Sequence, residues 1–510
     1  MIDFSNLTLR EKIGQIVLIN EPSALFEQYG GYEKFLEKYP VGGMCLGLDI
    51  VGGPMGGAGK GFSIVKDWES KLKVPPAYFV GMEPCFLSLA ATGSKELAYK
   101  LGIEQAILSK QHYAHSAWNM VCDMMWTDAS PISTRSIGDD PVKAAELLVE
   151  YMKGCHSEHF AAQAKHYPGL GKEWVDTHIA KVQSELTKEE WDRSYRYIYK
   201  KLIDNGLMAV MTAHVSLPCY QSENEKDADG NYLTATHSKE LITDLLKNDL
   251  GFKGVAITDG LIMGGNSGGN VENAVKAFEA GHDFLCWPDV ECIDAIEEKI
   301  LNGEIPMSRL DDALERIARF KEFTQCDQER NIDMNYTTCV KQEIAKKSMT
   351  LLNNKRNIIP LDKNKIKKAL IVKTSNYHAK SEAFEGLVKI LEDRGIEVIT
   401  RESVWIPEVQ ALEKDVDLTI FAIFEGATIQ PGPIALNGDA VINVWGSQAA
   451  DPMKTIIANF GTPFTYTSYY KTFPTVVNAY GIYDGVFEAF VAAIFGEIGF
   501  EGKTPVTFRK

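Results

Sequence analysis

The sequence predicts an α/β protein with an N-terminal (β/α)8 TIM-like barrel and a C-terminal α/β domain built as a parallel-sheet sandwich. Eight apolar, β-rich runs precede Pro288, helical patterns separate most of them, and a second series of strands and helices follows. Eight such units in about 290 residues match a closed barrel in number and length. Periodicity alone also allows an open doubly wound sheet. The predicted bounds are 1–325 for the barrel, 326–350 for a helical connector and 351–510 for the C-terminal domain.

The barrel strands are predicted from their near-continuous apolarity, which is typical of parallel strands buried on both faces. The runs are Gly14–Asn20, Gly42–Gly47, Ala77–Met82, Asn119–Met124, His159–His166, Leu207–Val215, Gly254–Gly260 and His282–Pro288. Amphipathic helical patterns cover 95–111, 141–158, 188–206 and 238–251.

Charged helical patterns cover Met307–Lys346, from the end of the barrel through most of the connector, and 342–354, and a further amphipathic helix is predicted over 379–395. Alternating strands and helices there predict a second α/β unit. Its predicted strands are Lys368–Lys373, Ile396–Thr400, Asp417–Glu425, Ala440–Trp445 and Phe464–Tyr469.

Composition limits the choice of partners. The 53 basic and 69 acidic residues give a net charge of −16, which disfavours nucleic acid. The start of the chain does not resemble a secretory signal, and no apolar run is long enough for a membrane span, so we expect a cytoplasmic protein without a membrane partner. The nine cysteines show no CxxC spacing and predict buried free thiols. No HExxH or paired Cys/His spacing occurs, so no metal or other cofactor is predicted.

Polar or aromatic residues end five of the predicted barrel strands, where βα loops form the active-site mouth of such barrels. Asp123 lies late in strand four, Lys165 and His166 end strand five, His214 ends strand six, Asp259 ends strand seven and Trp287 ends strand eight. Singly, each has a structural interpretation, such as a helix cap for Asp259 or a satisfied core histidine for His214. Their convergence on one mouth favours a catalytic site.

The loop after strand five carries the most informative pattern. It contains a proline and two glycines, which disfavour a helix, and it ends in Asp176-Thr177-His178. On extended backbone, residues two apart point to the same side, and a carboxylate on one imidazole nitrogen makes the other an effective acid/base near neutral pH. The structural alternative is an exposed turn with an incidental histidine. The glycine-rich stretches 51–61 and 264–269 lack a phosphate-loop signature and are predicted to be mobile loops.

Several motifs along the chain resemble glycoside hydrolase family 3, and specifically its β-N-acetylglucosaminidase branch. The motif KHYPGLG is followed by DTH, as KH-[FYS]-PG-x-G and D-x-H are in that branch. LTLREKIGQIVL, STRSIGDDP, VMTAHV, GFKGVAITDGLIMGG and the final FGEIGFEGKTPVTF agree with other family segments. The resemblance covers both predicted domains.

This resemblance implies a retaining mechanism with Asp259 as nucleophile and His178, held by Asp176, as acid/base. It places Arg135, Lys165 and His166 on the sugar, and it adds as substrate-binding residues Glu83 and the family motif positions Asp123 and His214. After strand three the family usually has D-x-EGG followed by an arginine. Here the segment reads Gly81-Met82-Glu83-Pro84-Cys85-Phe86, which retains only Glu83 and leaves the identity of the sugar open.

The leading hypothesis is therefore an exo-acting β-N-acetylhexosaminidase that removes a terminal GlcNAc-like sugar from a small oligosaccharide or muropeptide-type glycoside. A β-glucosidase-type specificity is an alternative within the same family, and so is phosphorolysis, because a histidine acid/base repels phosphate less than a carboxylate does. The alternative of another class is a carbohydrate-binding protein that has lost turnover. The intact Asp259, Asp176 and His178 argue against it.

Overall fold

A computed structural model of the protein describes residues 2–20, 23–49, 69, 71–128, 130–266, 270–328, 333–376, 382–427 and 435–508. The glycine-rich stretch 51–61 and residues 267–269 of the second such stretch, both predicted as mobile loops, lie outside the described residues.

The first half of the chain forms the predicted barrel. Its strands are β1 (Val17–Ile19), β2 (Gly43–Asp49), β3 (Ala77–Met82), β4 (Ser116–Val121), β5 (Ala161–Tyr167), β6 (Ala209–Thr212), β7 (Val255–Thr258) and β8 (Leu285–Cys286). They are parallel and run in the order β8-β1-β2-β3-β4-β5-β6-β7. A parallel bridge between Ile257 and Phe284 joins β7 to β8. The closed barrel is thus confirmed, and the open-sheet alternative is wrong.

Helices surround this barrel and connect its strands. They are Leu9–Gly14, Ser23–Gln28, Tyr32–Lys38, Phe86–Thr92, Lys95–Gln111, Pro141–Ser157, Lys188–Trp191, Tyr197–Asp204, Asn270–Ala280, Cys292–Leu301 and Met307–Phe323, with π-helical segments at Asp192–Arg196 and Glu240–Asp249. Short 3-10 turns occupy Ser133–Arg135, Pro218–Tyr220, Glu223–Glu225 and Gly264–Asn266, and a small parallel pair joins Val182–Gln183 to Val215–Ser216.

Local sequence explains where these helices begin. Asp140 accepts hydrogen bonds from the backbone N–H groups of Val142 and Lys143, and Pro141 occupies the first position of the helix Pro141–Ser157. Proline fits there because the N–H it lacks has no partner inside a helix. This N-terminus lies just after Arg135, so the capped helix also defines the end of the loop that carries Arg135.

The second unit contains a six-stranded sheet. Its strands are β9 (Thr350–Asn354), β10 (Lys368–Ser375), β11 (Glu397–Arg401), β12 (Leu418–Phe424), β13 (Thr455–Asn459) and β14 (Thr475–Asn478). The order is β9-β14-β13-β12-β10-β11, and only the β9/β14 pair is antiparallel. Its helices and turns are Val340–Ser348, which leads into the sheet, Glu385–Glu392, Ile406–Leu412, Glu413–Asp415, Asp439–Gln448, Tyr466–Tyr470 and Val486–Ile494.

Three predictions for this unit are wrong. Ala440–Trp445 lies in the helix Asp439–Gln448, which buries Ala440, Val444 and Ser447 on one face, a spacing typical of a helix. Phe464–Tyr469 leads into a helical turn. The helix predicted over 342–354 ends at Ser348, and β9 follows because Thr350–Asn354 pairs with β14.

Other chain-wide expectations meet the structure as follows. Six cysteines are buried, but Cys85 and Cys219 are half-buried and Cys339 is exposed, so burial of every thiol was wrongly predicted; none forms a disulfide. Among the described residues, no helix combines the length and apolarity that crossing a bilayer requires.

Candidate active site

The predicted site residues lie where barrel strands end or in the loops that follow them. Glu83 follows β3, Asp123 and Arg135 follow β4, Lys165 and His166 lie in the last part of β5, and Asp259 follows β7. Because the strands are parallel, these positions share the C-terminal end of the barrel. The structure therefore gathers the residues as the sequence predicts.

Glu83, Arg135 and Lys165 form a compact ionic cluster, which we call the Glu83 cluster. Nε and Nη2 of Arg135 donate to the two carboxylate oxygens of Glu83 at 2.8 and 2.6 Å. Nζ of Lys165 lies 2.6 Å from Oε1 of Glu83. The side chains of Glu83, Lys165 and Arg135 are only 2%, 6% and 15% exposed. The cluster thus combines two cationic side chains with one carboxylate.

The charges of this cluster depend on one another. Burial alone would raise the pKa of Glu83, but Arg135 and Lys165 outweigh it and hold that pKa far below its usual range. Burial works to lower the pKa of Arg135, and Glu83 reverses the effect, so that this pKa is raised. Burial lowers the pKa of Lys165, and the neighbouring carboxylate only partly compensates. Glu83 thus supplies the charge that allows two cations to remain buried.

Asp123 positions His166 from behind. Its Oδ2 lies 2.6 Å from Nδ1 of His166 and also accepts the backbone N–H of His166, at 3.2 Å. Its Oδ1 accepts the N–H of Leu170 at 2.7 Å. Asp123 is fully buried and both of its oxygens are engaged, so it orients His166 and the start of the loop instead of contacting a sugar. Nε2 of His166 lies 3.5 Å from Nη2 of Arg135.

Further contacts fix the loop after β5. The Tyr195 hydroxyl donates to the carbonyl of Leu170 and accepts the N–H of Met124 at 3.1 Å. Oε2 of Glu173 accepts the N–H groups of Gly171 and Lys172 at 2.9 and 3.1 Å. Glu173 therefore closes the turn at Gly171 and Lys172. Sequence reasoning did not identify Tyr195, because it lies in a helical segment well beyond the loop.

Asp176 and His178 form the predicted pair. Oδ1 of Asp176 lies 2.7 Å from Nδ1 of His178 and accepts the backbone N–H of His178 at 2.9 Å. The Asp176 side chain is 10% exposed and that of His178 is 49% exposed. The hydrogen bond to Asp176 raises the pKa of His178 above its usual value, although burial opposes the effect. Nε2 is left as the nitrogen that exchanges a proton at the mouth.

Asp259 begins the loop after β7. Its backbone N–H donates to Thr212 O at 3.0 Å, and its Oδ1 accepts the N–H of Gly260 at 2.8 Å. Burial would raise the pKa of Asp259, but the imidazoles of His166, His214 and His178 and the Gly260 N–H outweigh burial and lower it. Asp259 is therefore a carboxylate at neutral pH.

His214 supports the residue that follows Asp259. It is fully buried, its Nδ1 accepts from the Thr236 hydroxyl at 2.7 Å, and its Nε2 donates to Gly260 O at 3.0 Å. Burial lowers the pKa of His214, which favours the neutral ring. With both nitrogens engaged, His214 is a satisfied core histidine that positions the Asp259 loop.

Two backbone hydrogen bonds join the Asp259 loop to the His178 loop. The N–H of Gly264 donates to His178 O and the N–H of Gly265 donates to Thr177 O, each at 2.9 Å. A Cβ at Gly264 would lie 2.4 Å from Ile179 O, so only glycine allows this approach. A carboxylate and a carboxylate-held imidazole are thus kept at one mouth, which suits covalent catalysis assisted by an acid/base.

Trp287, predicted at the mouth, follows β8 with a φ of 57° and makes an edge contact with Trp118 at 5.4 Å between ring centroids. A left-handed conformation is strained for a bulky residue and is most often retained at functional sites. In the described part of the chain, no group of three or more His, Cys, Asp or Glu side chains is placed to hold a metal ion.

Comparison with known proteins finds a matching family model and similar proteins. Residues 78–320 match the family model described as the Glycosyl hydrolase family 3 N terminal domain. A beta-N-acetylglucosaminidase/beta-glucosidase of Cellulomonas fimi is 26% identical over 453 residues, which cover 82% of this chain and 79% of that protein. A beta-hexosaminidase of Nitrosospira multiformis is 31% identical over 194 residues, which cover 38% of this chain and only 53% of that protein.

Solved structures share the complete fold. A glycoside hydrolase family 3 beta-N-acetylglucosaminidase from Paenibacillus sp. superposes with a TM-score of 0.82 at 24% identity, covering 98% of this chain and 99% of that chain. A protein described as beta-glucoside phosphorylase BglX gives a TM-score of 0.82 at 21% identity, with 98% and 94% covered. The barrel and the second α/β unit therefore occur together in these proteins.

Proposed function

Because this chain belongs to glycoside hydrolase family 3 and is a glycoside hydrolase, we propose that it is a retaining, exo-acting β-N-acetylhexosaminidase. Asp259 is the nucleophile, and His178, held by Asp176, is the acid/base. The single observation that carries the proposal is the 2.7 Å contact between Asp176 and His178 on a loop hydrogen-bonded to the Asp259 loop. We assign this chemistry to the barrel, for which we propose the bounds 1–325. The proposed bounds of the connector are 326–350, and those of the second unit are 351–510.

The proposed reaction has two steps. In the first, the Asp259 carboxylate attacks the anomeric carbon while the His178 imidazolium gives its Nε2 proton to the departing glycosidic oxygen. A covalent sugar–Asp259 ester forms and the aglycone leaves. In the second, neutral His178 takes a proton from water, the water oxygen attacks the anomeric carbon, and Asp259 departs as a carboxylate.

The protonation states favour this sequence of events. The raised pKa of His178 increases its protonated fraction near neutral pH, and the lowered pKa of Asp259 keeps the nucleophile ionised. Arg135 and Lys165 are long cationic donors that suit sugar hydroxyls, with Glu83 and His166 beside them. Asp123 and His214 act on the sugar only through the residues that they orient.

We propose a terminal GlcNAc-like sugar on a small oligosaccharide or muropeptide-type glycoside as the substrate. The described activities of the Cellulomonas and Nitrosospira relatives support an N-acetylhexosamine. A β-glucoside is the second candidate, since only Glu83 remains of the usual segment after β3. Phosphorolysis is a second use of the same site, because a half-exposed, uncharged or cationic His178 does not repel a phosphate ion.

A panel of 4-nitrophenyl β-glycosides tests the proposal. We expect the N-acetylglucosaminide to be cleaved fastest, with the released sugar first appearing as the β-anomer by NMR. In phosphate buffer, sugar-1-phosphate would identify phosphorolysis. A 2-deoxy-2-fluoro-glycosyl fluoride should add its sugar mass to the peptide that contains Asp259.

The nucleophile variant completes this test. Asp259→Ala should lose about 10⁴-fold or more in kcat, whereas Asp229→Ala, an exposed aspartate in another loop of the same domain, should keep wild-type activity. Activity that survives Asp259→Ala, or a label on another residue, would exclude the mechanism.

A further inference from the structure

The second unit contacts the barrel at both loops that carry the Glu83–Arg135 ion pair. The segment involved is residues 502–507, which we call the tail segment. It lies far along the chain from both loops, since Thr507 and Asp139 are 368 residues apart. The barrel alone therefore does not provide all the contacts that hold these two loops.

The first contact is with the loop of Arg135. The N–H of Asp139 donates to Pro505 O at 3.2 Å, and Oδ2 of Asp139 accepts the N–H of Thr507 at 2.6 Å. Gly138 has a φ of +111°, and a Cβ there would lie 2.5 Å from Pro505 O. Gly138 O accepts the N–H of Met125 at 2.9 Å. The tail segment thus contacts the turn three residues after Arg135. That turn also accepts a hydrogen bond from Met125, in the segment that follows β4.

The same loop is held on its other side. The Oγ1 of Thr134 accepts the N–H of Ala427, which follows β12 of the second unit, at 3.3 Å. The Ser136 hydroxyl donates to Asp123 O at 2.7 Å, inside the barrel. Arg135 therefore lies between one residue bonded to the second unit and one bonded to the barrel.

The second contact is with the helix that follows Glu83. Ala91 O, in the helix Phe86–Thr92, accepts the N–H of Lys503 at 2.9 Å. Val506 is 4% exposed and belongs to a small apolar cluster with Leu87, Ala91 and Met125. This cluster joins the segments after β3 and β4 to the tail segment, so the loops of Glu83 and Arg135 share one external support.

We propose that the tail segment is a positioning element of the Glu83 cluster, which sets the relative placement of Glu83 and Arg135. The inference rests on the proposed function in taking this cluster as the sugar-binding part of the site. A bidentate pair tolerates little displacement of either partner, and here the partners lie on loops from different strands. Displacing one loop moves the donors that grip the sugar while leaving Asp259 and His178 in place.

The main experiment compares Gly138→Ala with Gly303→Ala. Both glycines have a positive φ, +111° and +77°, but nothing lies within 4 Å of a Cβ at Gly303. Both substitutions place a Cβ on backbone with a positive φ, and only Gly138→Ala adds a clash with Pro505. We expect Gly138→Ala to lower kcat/KM by about 10- to 100-fold, mainly through KM, because displacements of about 1 Å have effects of this size. Gly303→Ala should stay near wild type.

A second pair of variants tests the inference even if Gly138→Ala does not fold. Asp139→Ala removes the acceptor for Thr507 N–H, whereas Asp139→Asn keeps an amide oxygen there. We expect a raised KM in Asp139→Ala and substantial recovery in Asp139→Asn, with similar melting temperatures for the two proteins. Equal KM values across both pairs, or a loss confined to kcat, would overturn the inference.

Calorimetric binding of N-acetylglucosamine, or of whichever sugar the panel identifies, separates this inference from the proposed function. If wild type binds the sugar but hydrolyses no glycoside, the proposed function fails while the binding comparison still decides the role of the tail segment. If wild type is active and the paired variants do not differ, the tail inference fails and the proposed function stands.

Discussion

The Glu83 cluster and the loop of Asp176 and His178 lie at the same mouth and are held in different ways. Glu83, Arg135 and Lys165 are largely buried and come from three separate segments of the barrel, two of which contact the second unit. His178 is about half exposed and is oriented by Asp176, two residues away in the same loop. In the proposed mechanism, binding of the sugar thus depends on long-range tertiary structure, whereas proton transfer depends on a local pair.

This difference separates the consequences of mutation. A change in the cluster leaves an uncompensated buried charge and affects folding together with binding. A change in the acid/base pair alters a half-exposed group and affects chemistry with little effect on stability. Four substitutions test this separation, from the largest expected effect to the smallest.

Glu83→Ala should have the largest combined effect. It removes the only anion of the cluster and leaves Arg135 and Lys165 facing each other in a buried site. We expect the free energy of unfolding to fall by about 3–5 kcal/mol, with glycosidase activity lost. Urea unfolding followed by circular dichroism measures the first effect. Glu185→Ala, at an exposed glutamate, is the control, and equal stability of the two variants would contradict the proposed dependence.

His178→Ala should reduce catalysis without reducing stability. We expect kcat to fall by about 10²- to 10⁴-fold for substrates with poor leaving groups, because general acid catalysis is lost. The loss should shrink for activated leaving groups such as 2,4-dinitrophenol, which depart without a proton. A loss of the same size for every leaving group would show that His178 is not the acid.

Asp176→Asn should move the pH profile. In wild type, Asp176 stabilises the imidazolium and raises the pKa of His178, so the acid remains protonated to higher pH. Neutralising Asp176 lowers that pKa, and the high-pH limb of kcat/KM should shift to lower pH. The low-pH limb, set by Asp259, should keep its position. An unchanged high-pH limb would show that the Asp176–His178 pair does not set the pH dependence of kcat/KM.

Glu173→Gln should have the smallest effect. The amide retains one oxygen that can accept the N–H groups of Gly171 and Lys172, and only the charge is lost. We expect a change of about 0.5–1.5 kcal/mol in the free energy of unfolding and a modest change in kcat. Glu173→Ala, which loses both hydrogen bonds, should show a larger decrease in the free energy of unfolding. If Gln and Ala have equal effects, the carboxylate charge is what closes the turn.

The barrel was more predictable than the second unit for a physical reason. Runs such as 77–82 are apolar throughout because both faces of the barrel strands are covered. In the second unit, Ala440–Trp445 is rich in β-branched and apolar residues, which favours a strand. Its buried positions nevertheless follow a helical spacing that only a longer sequence window reveals. The strands Thr455–Asn459 and Thr475–Asn478 are too short for periodicity to distinguish them from loops.

Site residues were predicted in position more fully than in role. Asp259, Asp176 and His178 lie where strand ends and spacing place them. Asp123 and His214 also lie near the mouth, but they are fully buried and only position other residues. That role depends on packing, which local sequence does not specify. The contacts of Tyr195 and Pro505 join distant segments, and no local signal announces them.

The paired bonds from Gly264 and Gly265 to the carbonyls of His178 and Thr177 have a consequence for protein engineering. Loop grafting between related enzymes usually treats each βα loop as an independent module. Here the His178 loop and the Asp259 loop form one module, because these two backbone hydrogen bonds join them. In a chimera that replaces only one of these loops, the close backbone contact at Gly264 and Gly265 would have to form with a loop of different sequence. Useful crossover points therefore lie outside both 165–180 and 259–266.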